Sequence, residues 1–313
     1  MRGINISSVM LLIIMAWNLS ILIFTRFLSS KDKKNSGVIA LINLAANILL
    51  IAGLVYFSTV IGITGYNIRS DRIPKEFDGY KILQISDYHT GSFYGGPGRL
   101  IEKVKKEKPD IIVITGDLID EDRVNFKQIG ELIVQLVAVA PVYSVSGNHD
   151  VWYGDFEGLQ KYLEQLGVNL LENGKEVLQR GNAGINLFGI GDPETWNDKN
   201  AEHLLQKEIG RLKPDKGYNI LLFHRANMFD TVKGNGFQLV LSGHMHGGQL
   251  QIPFVGGLVS PHKNHRWLPK YTDGKWSADG TTMIVSRGLG NNAPVPRLLN
   301  PPEIVVVTLE SKN

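Results

Sequence analysis

The stretch "FQLVLSGHMHGGQ" breaks an apolar run with two histidines one residue apart, His244 and His246. On an extended strand side-chain direction repeats every two residues, so both rings leave one face and aim at one point, as a metal ion requires. Two histidines alone are a weak signal, but four other apolar runs end in the same way. "YKILQISDYH" delivers Asp87 and His89, and "DIIVITGDLID" delivers Asp117. "PVYSVSGNHD" delivers Asn148, His149 and Asp150, and "YNILLFH" delivers His224. Taken singly, a strand-end Asp is more often a turn former or cap, and a lone His a satisfied histidine. Five such endings together predict one site.

The elements that must hold these residues follow from the pattern. Near-continuous apolar runs are those of strands buried on both faces, and the amphipathic stretches between them predict helices. Such helices are "GPGRLIEKVKKEKP", "VNFKQIGELIVQLVAV" and "FEGLQKYLEQLG", ended by Pro, Pro and Gly respectively. The fold class is α/β, with the ligands along one sheet edge at the strands' carboxyl ends, where open α/β folds place them. Glycines just before Asp117, Asn148 and His244 fit tight turns.

The 313-residue chain has room for one large domain or two small ones, and it contains no cysteine. There is thus no disulfide framework and no thiolate site, and a metal would be held by His, Asp, Glu or Asn. Residues 1–80 carry eight Lys/Arg against four Asp/Glu, which leaves 25 against 26 in the remainder. A near-neutral main domain has no basic nucleic-acid footprint, and "EKVKKEKPD" reads as a solvated helix face, so nucleic acid is not an expected partner.

The N-terminal segment differs. Ile4–Thr25 and Ser36–Ile68 are uncharged over 22 and 33 positions, and a spanning helix needs roughly 20 apolar residues. No A-x-A-like cleavage site follows the first stretch, and a signal peptide would not account for the second. The expectation is a transmembrane hairpin over 1–68 (helices about 4–25 and 38–63) in the cell membrane, followed by one domain over 69–313. The linker "RFLSSKDKKNSG" holds four Lys/Arg and favours a cytoplasmic loop with the domain outside the cytoplasm. Arg69, Arg72 and Lys75 count the other way.

The ordered set D-x-H, G-D, G-N-H-D, H and G-H-x-H, from Asp87 to His246, resembles the calcineurin-like metallophosphoesterase superfamily. The stretches "GHMHGGQLQIPFVGG" and "SRGLGNNAPVPRLLNPPEIVVVTL" are similar to its bacterial membrane-associated branch, including Gln249. One departure is "LLFHRAN", where that branch more often has a proline soon after the histidine; it is expected to touch loop shape and substrate fit, not metal binding.

The resemblance implies a four-layer αββα sandwich of two mixed sheets. It implies two divalent ions (Mn, Fe or Zn), with Asp87, His89 and His246 on one and Asn148, His224 and His244 on the other. Asp117 would bridge them, and a metal-bridging hydroxide would attack phosphorus. The two histidines of "GHMH" would then serve different ions. His149 resembles the residue that stabilises or protonates the leaving oxygen, with Asp150 either orienting it or capping a turn.

The function implied is a membrane-anchored metallophosphoesterase cleaving a phosphodiester, pyrophosphate or phosphomonoester in a small-molecule or lipid-linked substrate. One alternative is a lipid pyrophosphatase of the UDP-diacylglucosamine type, which needs a cytoplasmic domain. Another is a non-catalytic metal- or phosphate-binding scaffold, which should have lost a ligand or His149. His203 reads as a solvated helical residue. His262 and His265 could touch substrate, and Trp267, Tyr271 and Trp276 read as core or surface packing rather than a lipid-facing edge.

Overall fold

The chain enters its first sheet before any charge marks the change. A computed structural model describes residues 17–21, 36–89, 96–193, 198–252, 254–259, 267–291 and 297–313. Helix α1 (Ser36–Thr59) gives way within three residues to strand β1 (Gly62–Ser70). β1 pairs in parallel with a strand near the C-terminus from Gly62↔Glu303 to Ser70↔Ser311. The domain therefore starts at about residue 62, not 69. "GITGYNI" carries no charge, so an uncharged run could not separate the end of a helix from the start of a strand.

The remaining strands are β2 (Lys81–Ile85), β3 (Ile111–Thr115), β4 (Val142–Val145), β5 (Val168–Leu170), β6 (Gly174–Arg180), β7 (Ala183–Ile190), β8 (Asn219–Arg225) and β9 (Leu239–Gly243), then the short β10 (Gln251–Ile252) and β11 (Gly256–Gly257), and finally β12 (Gly274–Ala278), β13 (Thr281–Val285) and β14 (Glu303–Ser311). One six-stranded sheet has the order β1-β14-β2-β3-β4-β5, and the other β12-β13-β9-β8-β7-β6. Both are mixed, since β14 runs antiparallel to β2 and β12 to β13. The helices are α2 (Gly96–Glu107), α3 (Phe126–Val137), α4 (Asn148–Trp152), α5 (Phe156–Gln165), α6 (Asp198–Leu212) and α7 (Phe229–Val232).

Side-chain alternation builds the layers. Ile82 of β2 and Ile220 and Leu222 of β8 face the core between the sheets, with Val113, Leu239 and Leu241. Their neighbours Leu83 and Ile85 pack outward against Leu100, Val104, Ile129, Leu132 and Leu159 of α2, α3 and α5. On the other flank Leu221 and Phe223 pack against Leu205 and Ile209 of α6 and Phe229 of α7. The central strands β2, β3, β8 and β9 are apolar on both sides because each sheet is covered twice. This is the four-layer αββα sandwich. The helix starts are capped as their sequences allow: Asn125 accepts from Gln128 N at 3.1 Å, and Asp155 from Gly158 N at 3.0 Å.

The expected hairpin is not supported. Among the described residues no helix is long and apolar enough to cross a membrane. Residues 1–16 and 22–35 lie outside those described, as do the side chains of 36, 39–40, 54–55 and 57–59 within α1. What is described is helical at 17–21, where the Asn18 and Asn47 amides exchange reciprocal hydrogen bonds of 3.2 Å.

Candidate metal centre

Every strand that the sequence marked as a ligand carrier is present, but the carriers do not share one sheet edge. β2, β3 and β4 belong to one sheet and β8 and β9 to the other, and the site lies where the carboxyl ends of the two sets meet. An apolar run looks the same in either sheet, so periodicity alone could not divide the five. The alternation that puts Ile220 and Leu222 between the sheets continues to His224, which reaches Thr115 at the end of β3. Gln84 ties the two sheets just below the site, its amide donating to Thr115 Oγ1 at 2.9 Å and to Ser242 O at 2.8 Å.

All seven expected ligands are buried together. The ligand atoms of Asp87, His89, Asp117 and His246 lie within 4.8 Å of one another, as do those of Asp117, His224 and His244. Asp117 is common to both groups. Its Oδ2 stands 3.1 Å from His224 Nε2 and 3.7 Å from His89 Nε2. His89 Nε2 faces His246 Nε2 at 3.2 Å, and His244 Nδ1 faces His224 Nε2 at 3.3 Å. The two histidines of "GHMH" thus belong to different clusters.

The backbone is bent to make this possible. Asp87, His89, Asp117, His244 and His246 all have positive φ, between 46° and 73°. A non-glycine residue held there costs on the order of 1–3 kcal/mol, a strain typical of functional sites. Gly116 takes φ +86° in the expected turn, but Gly147 is extended, with φ −104° and ψ −179°. Gly147 is small for another reason: Asp117 occupies the space that a side chain would need.

The donors suit a cation. His224 Nδ1 lies 2.7 Å from Thr115 O, so it carries a proton, and Nε2, which faces Asp117, is the nitrogen that would be offered to an ion. Asn148 Oδ1 is buried and has no hydrogen-bond partner among the described residues; a neutral oxygen so placed is available to a metal ion or an ordered water. Burial pushes Asp87 up to about 6, the nearby Asp117 carboxylate adding to it. Burial pulls His89 down to about 3, against the Asp117 charge. For His224 burial works downward, but Asp117 outweighs it and holds the ring up at about 10.

His149 stands at the mouth, its Nε2 4.0 Å from Asp117 Oδ2. Asp150 does not orient it. The Asp150 carboxylate accepts instead from Leu118 N at 3.0 Å, Ile119 N at 3.1 Å and Gly147 N at 2.8 Å. It joins the turns after β3 and β4, so the capping alternative holds. The carboxylate on His149 Nδ1 belongs to Glu121, which sequence reasoning missed. The acids after Asp117 in "DLIDED" were the signal, but only the turn decides which of them faces the ring. Arg297 was also missed. It is buried, donates to Arg287 O at 2.8 Å, and brings Nη2 within 3.4 Å of His246 Nδ1. Its Nη1 has no partner among the described residues.

The other histidines and aromatics divide. His203 is exposed on α6, as expected, and His262 and His265 lie outside the described residues. Tyr271 is buried and donates to Asp230 Oδ1 at 3.0 Å, whereas Trp267 is 75% exposed.

Two buried histidine clusters on one carboxylate, at the joint edge of an αββα sandwich, form a site that could hold a pair of metal ions. Residues 80–248 match the family model described as calcineurin-like phosphoesterase. The chain is 32% identical over 262 residues to YkuE of Bacillus subtilis (strain 168), named an uncharacterized metallophosphoesterase, covering 81% of this chain and 87% of that one. It is 29% identical over 234 residues to a Danio rerio protein named "Transmembrane protein with metallophosphoesterase domain", covering 72% and 53%. A solved Danio rerio dimetal phosphatase aligns with TM-score 0.44 and 10% identity, covering 69% and 90%. The chain belongs to the calcineurin-like phosphoesterase family and is a hydrolase of phosphoric ester bonds.

Proposed function

We propose that this chain is a membrane-anchored hydrolase that uses two divalent ions, Mn, Fe or Zn, to cleave a phosphodiester, pyrophosphate or phosphomonoester bond. The observation that carries it is Asp117, one buried carboxylate common to two histidine clusters. Asp87, His89 and His246 would hold one ion, Asn148, His224 and His244 the other, and Asp117 both. When bound, such a pair supplies Lewis acidity at phosphorus and a nucleophile from water at neutral pH. The chain's own groups do the rest. Asp117 also accepts from His149 N at 2.9 Å, which fixes the His149 backbone relative to the centre. Glu121 fixes the ring tautomer, so that Nε2 can give a proton to the departing oxygen.

Membrane attachment of a catalytic domain outside the cytoplasm is part of the proposal. The two uncharged N-terminal stretches and the four basic residues between them support it, and the name of the Danio rerio relative, a transmembrane protein, supports the attachment.

The test is hydrolysis of a chromogenic phosphodiester and the matching monoester by the full chain, with and without added Mn²⁺, Zn²⁺ or Fe²⁺. Turnover should require metal and collapse in Asp117→Asn. A folded chain that binds no metal would sink the reading, and the diester-to-monoester ratio sets the bond class.

A further inference from the structure

The segment that follows the second ligand histidine does not return to the core. It forms the β10–β11 hairpin, whose tip exposes Ile252 at 44%, Phe254 completely and Val255 at 61%. Two other pieces of chain are stitched to it and carry exposed apolar side chains of their own. Leu268 N donates to Leu258 O at 2.9 Å, and Gln251 N to Leu298 O at 3.0 Å. They bring Trp267 at 75%, Leu268 at 67% and Leu299 at 46% exposure onto the same rim. Large apolar side chains scattered singly over a surface need no explanation, but a contiguous group of them marks a contact.

The rim is wired to the metal centre and to the place where the N-terminal segment arrives. Asn300, next to Leu299, donates to His246 O at 2.7 Å. Two residues further, Pro302 O accepts from Gly62 N at 2.7 Å, at the first residue of β1. α1 therefore joins the domain at the edge that carries the ligands, and Val60 and Ile63 are themselves exposed there. Along α1 the side chains of Leu41, Ile42, Leu44, Ile48 and Leu49 are exposed and no charge appears.

We propose that the rim formed by Ile252, Phe254, Val255, Trp267, Leu268 and Leu299 dips into a lipid surface, so that the metal centre meets its phosphate ester at the headgroup level of that surface. This rests on the membrane attachment proposed above and narrows the substrate class to an amphiphilic phosphate ester presented by lipid. The continuity of rim, ligand loop and α1 attachment on one edge selects a bilayer as occupant over a soluble protein. Trp and Phe suit that depth, an aromatic body in the acyl boundary and, for Trp, an N–H at the wet side.

The chain has no cysteine, so one environment-sensitive label can be placed by Phe254→Cys and, separately, by Val177→Cys on the far edge strand β6. The full-length protein is reconstituted with vesicles of phosphatidylcholine and phosphatidylglycerol and floated. Brominated acyl chains should remove most of the emission at position 254 and little at 177, while aqueous iodide does the reverse. A label at 254 that iodide reaches and bromine does not would overturn the rim proposal. So would one shielded from both, which would mean that a second copy or another part of the chain covers the tip. A chain that fails to float overturns the proposal together with the membrane attachment. No hydrolysis enters the readout, so phosphoesterase activity stands or falls separately.

Discussion

The Glu121 carboxylate lies against Nδ1 of His149, while Nε2 of the same ring points toward Asp117 Oδ2, 4.0 Å away. Burial by itself would lower this imidazole; Asp117 and then Glu121 outweigh burial and hold it up at about 9. A general acid works only while protonated, so activity that depends on His149 is present below that value and falls as pH rises through it. Glu121→Gln removes one of the supporting charges and should move this fall to lower pH. It should also cost part of the roughly 10²–10⁴-fold that a general acid contributes. Cations beside Asp117 would lower the limb in both proteins and leave the difference between them. The check is the pH profile of kcat on an ester with a poor leaving group, beside a nitrophenyl ester that needs little protonation. Equal profiles for the two proteins would remove Glu121 from the reaction.

Asp150 supports three backbone N–H groups of two separate turns. Asp150→Ala leaves them buried and unpaired, at about 1–3 kcal/mol for each group left without a partner. The expected outcome is a large fall in the urea midpoint with the His149 titration unmoved. A variant of unchanged stability whose His149 pKa has shifted would restore the orienting role to Asp150.

The strands, and the meeting of the Asp and His residues at their ends, were legible because both rest on local pattern. "DIIVIT" is apolar throughout and ends in a glycine and an acid, and β3 with Asp117 is what it forms. The division of five carriers into two sheets was not legible, because a run apolar on both faces is the same in either. The start of the domain was missed for a similar reason: "GITGYNI" is uncharged in β1 as it would be in a helix. Glu121 and Arg297 depend on the path of a turn and of a long return loop. Nothing in the composition of either segment says where its side chain goes.

Metal stoichiometry separates the two clusters. His246→Ala should leave one ion per chain, and so should His224→Ala, since each ring belongs to one cluster only. Asp117→Asn keeps the shape but removes the one carboxylate that both clusters share, so it should lose both ions at low metal concentration. Elemental analysis after gel filtration reads all three. Because binding stabilises the folded chain by RT ln(1 + [L]/Kd), metal at about a thousand times Kd adds about 4 kcal/mol. The rise in melting temperature on adding Mn²⁺ should therefore be large for the unmodified chain and nearly absent for Asp117→Asn. One ion retained by Asp117→Asn at full affinity would show that the carboxylate is not shared.

Arg225 directly follows His224 in "LLFHRAN". The guanidinium is buried and grips Asp192 with two bonds of 2.6 Å, from Nε and Nη2. Asp192 is held in turn through its own N–H, which donates to Ser146 Oγ at 3.1 Å. Removing one partner of such a pair leaves a buried charge, so Asp192→Ala should cost about 3–5 kcal/mol. Replacing both partners by apolar side chains, Asp192→Leu with Arg225→Met, should recover most of that, because a buried ion pair is worth little against well-packed hydrocarbon. Urea unfolding of the single and double variants decides this. The metal content tells more. Arg225 follows His224, a proposed ligand, directly, so a double variant that regains stability but loses one ion would show that the pair fixes the end of β8 for metal binding. Full metal content in that variant would confine the pair to folding.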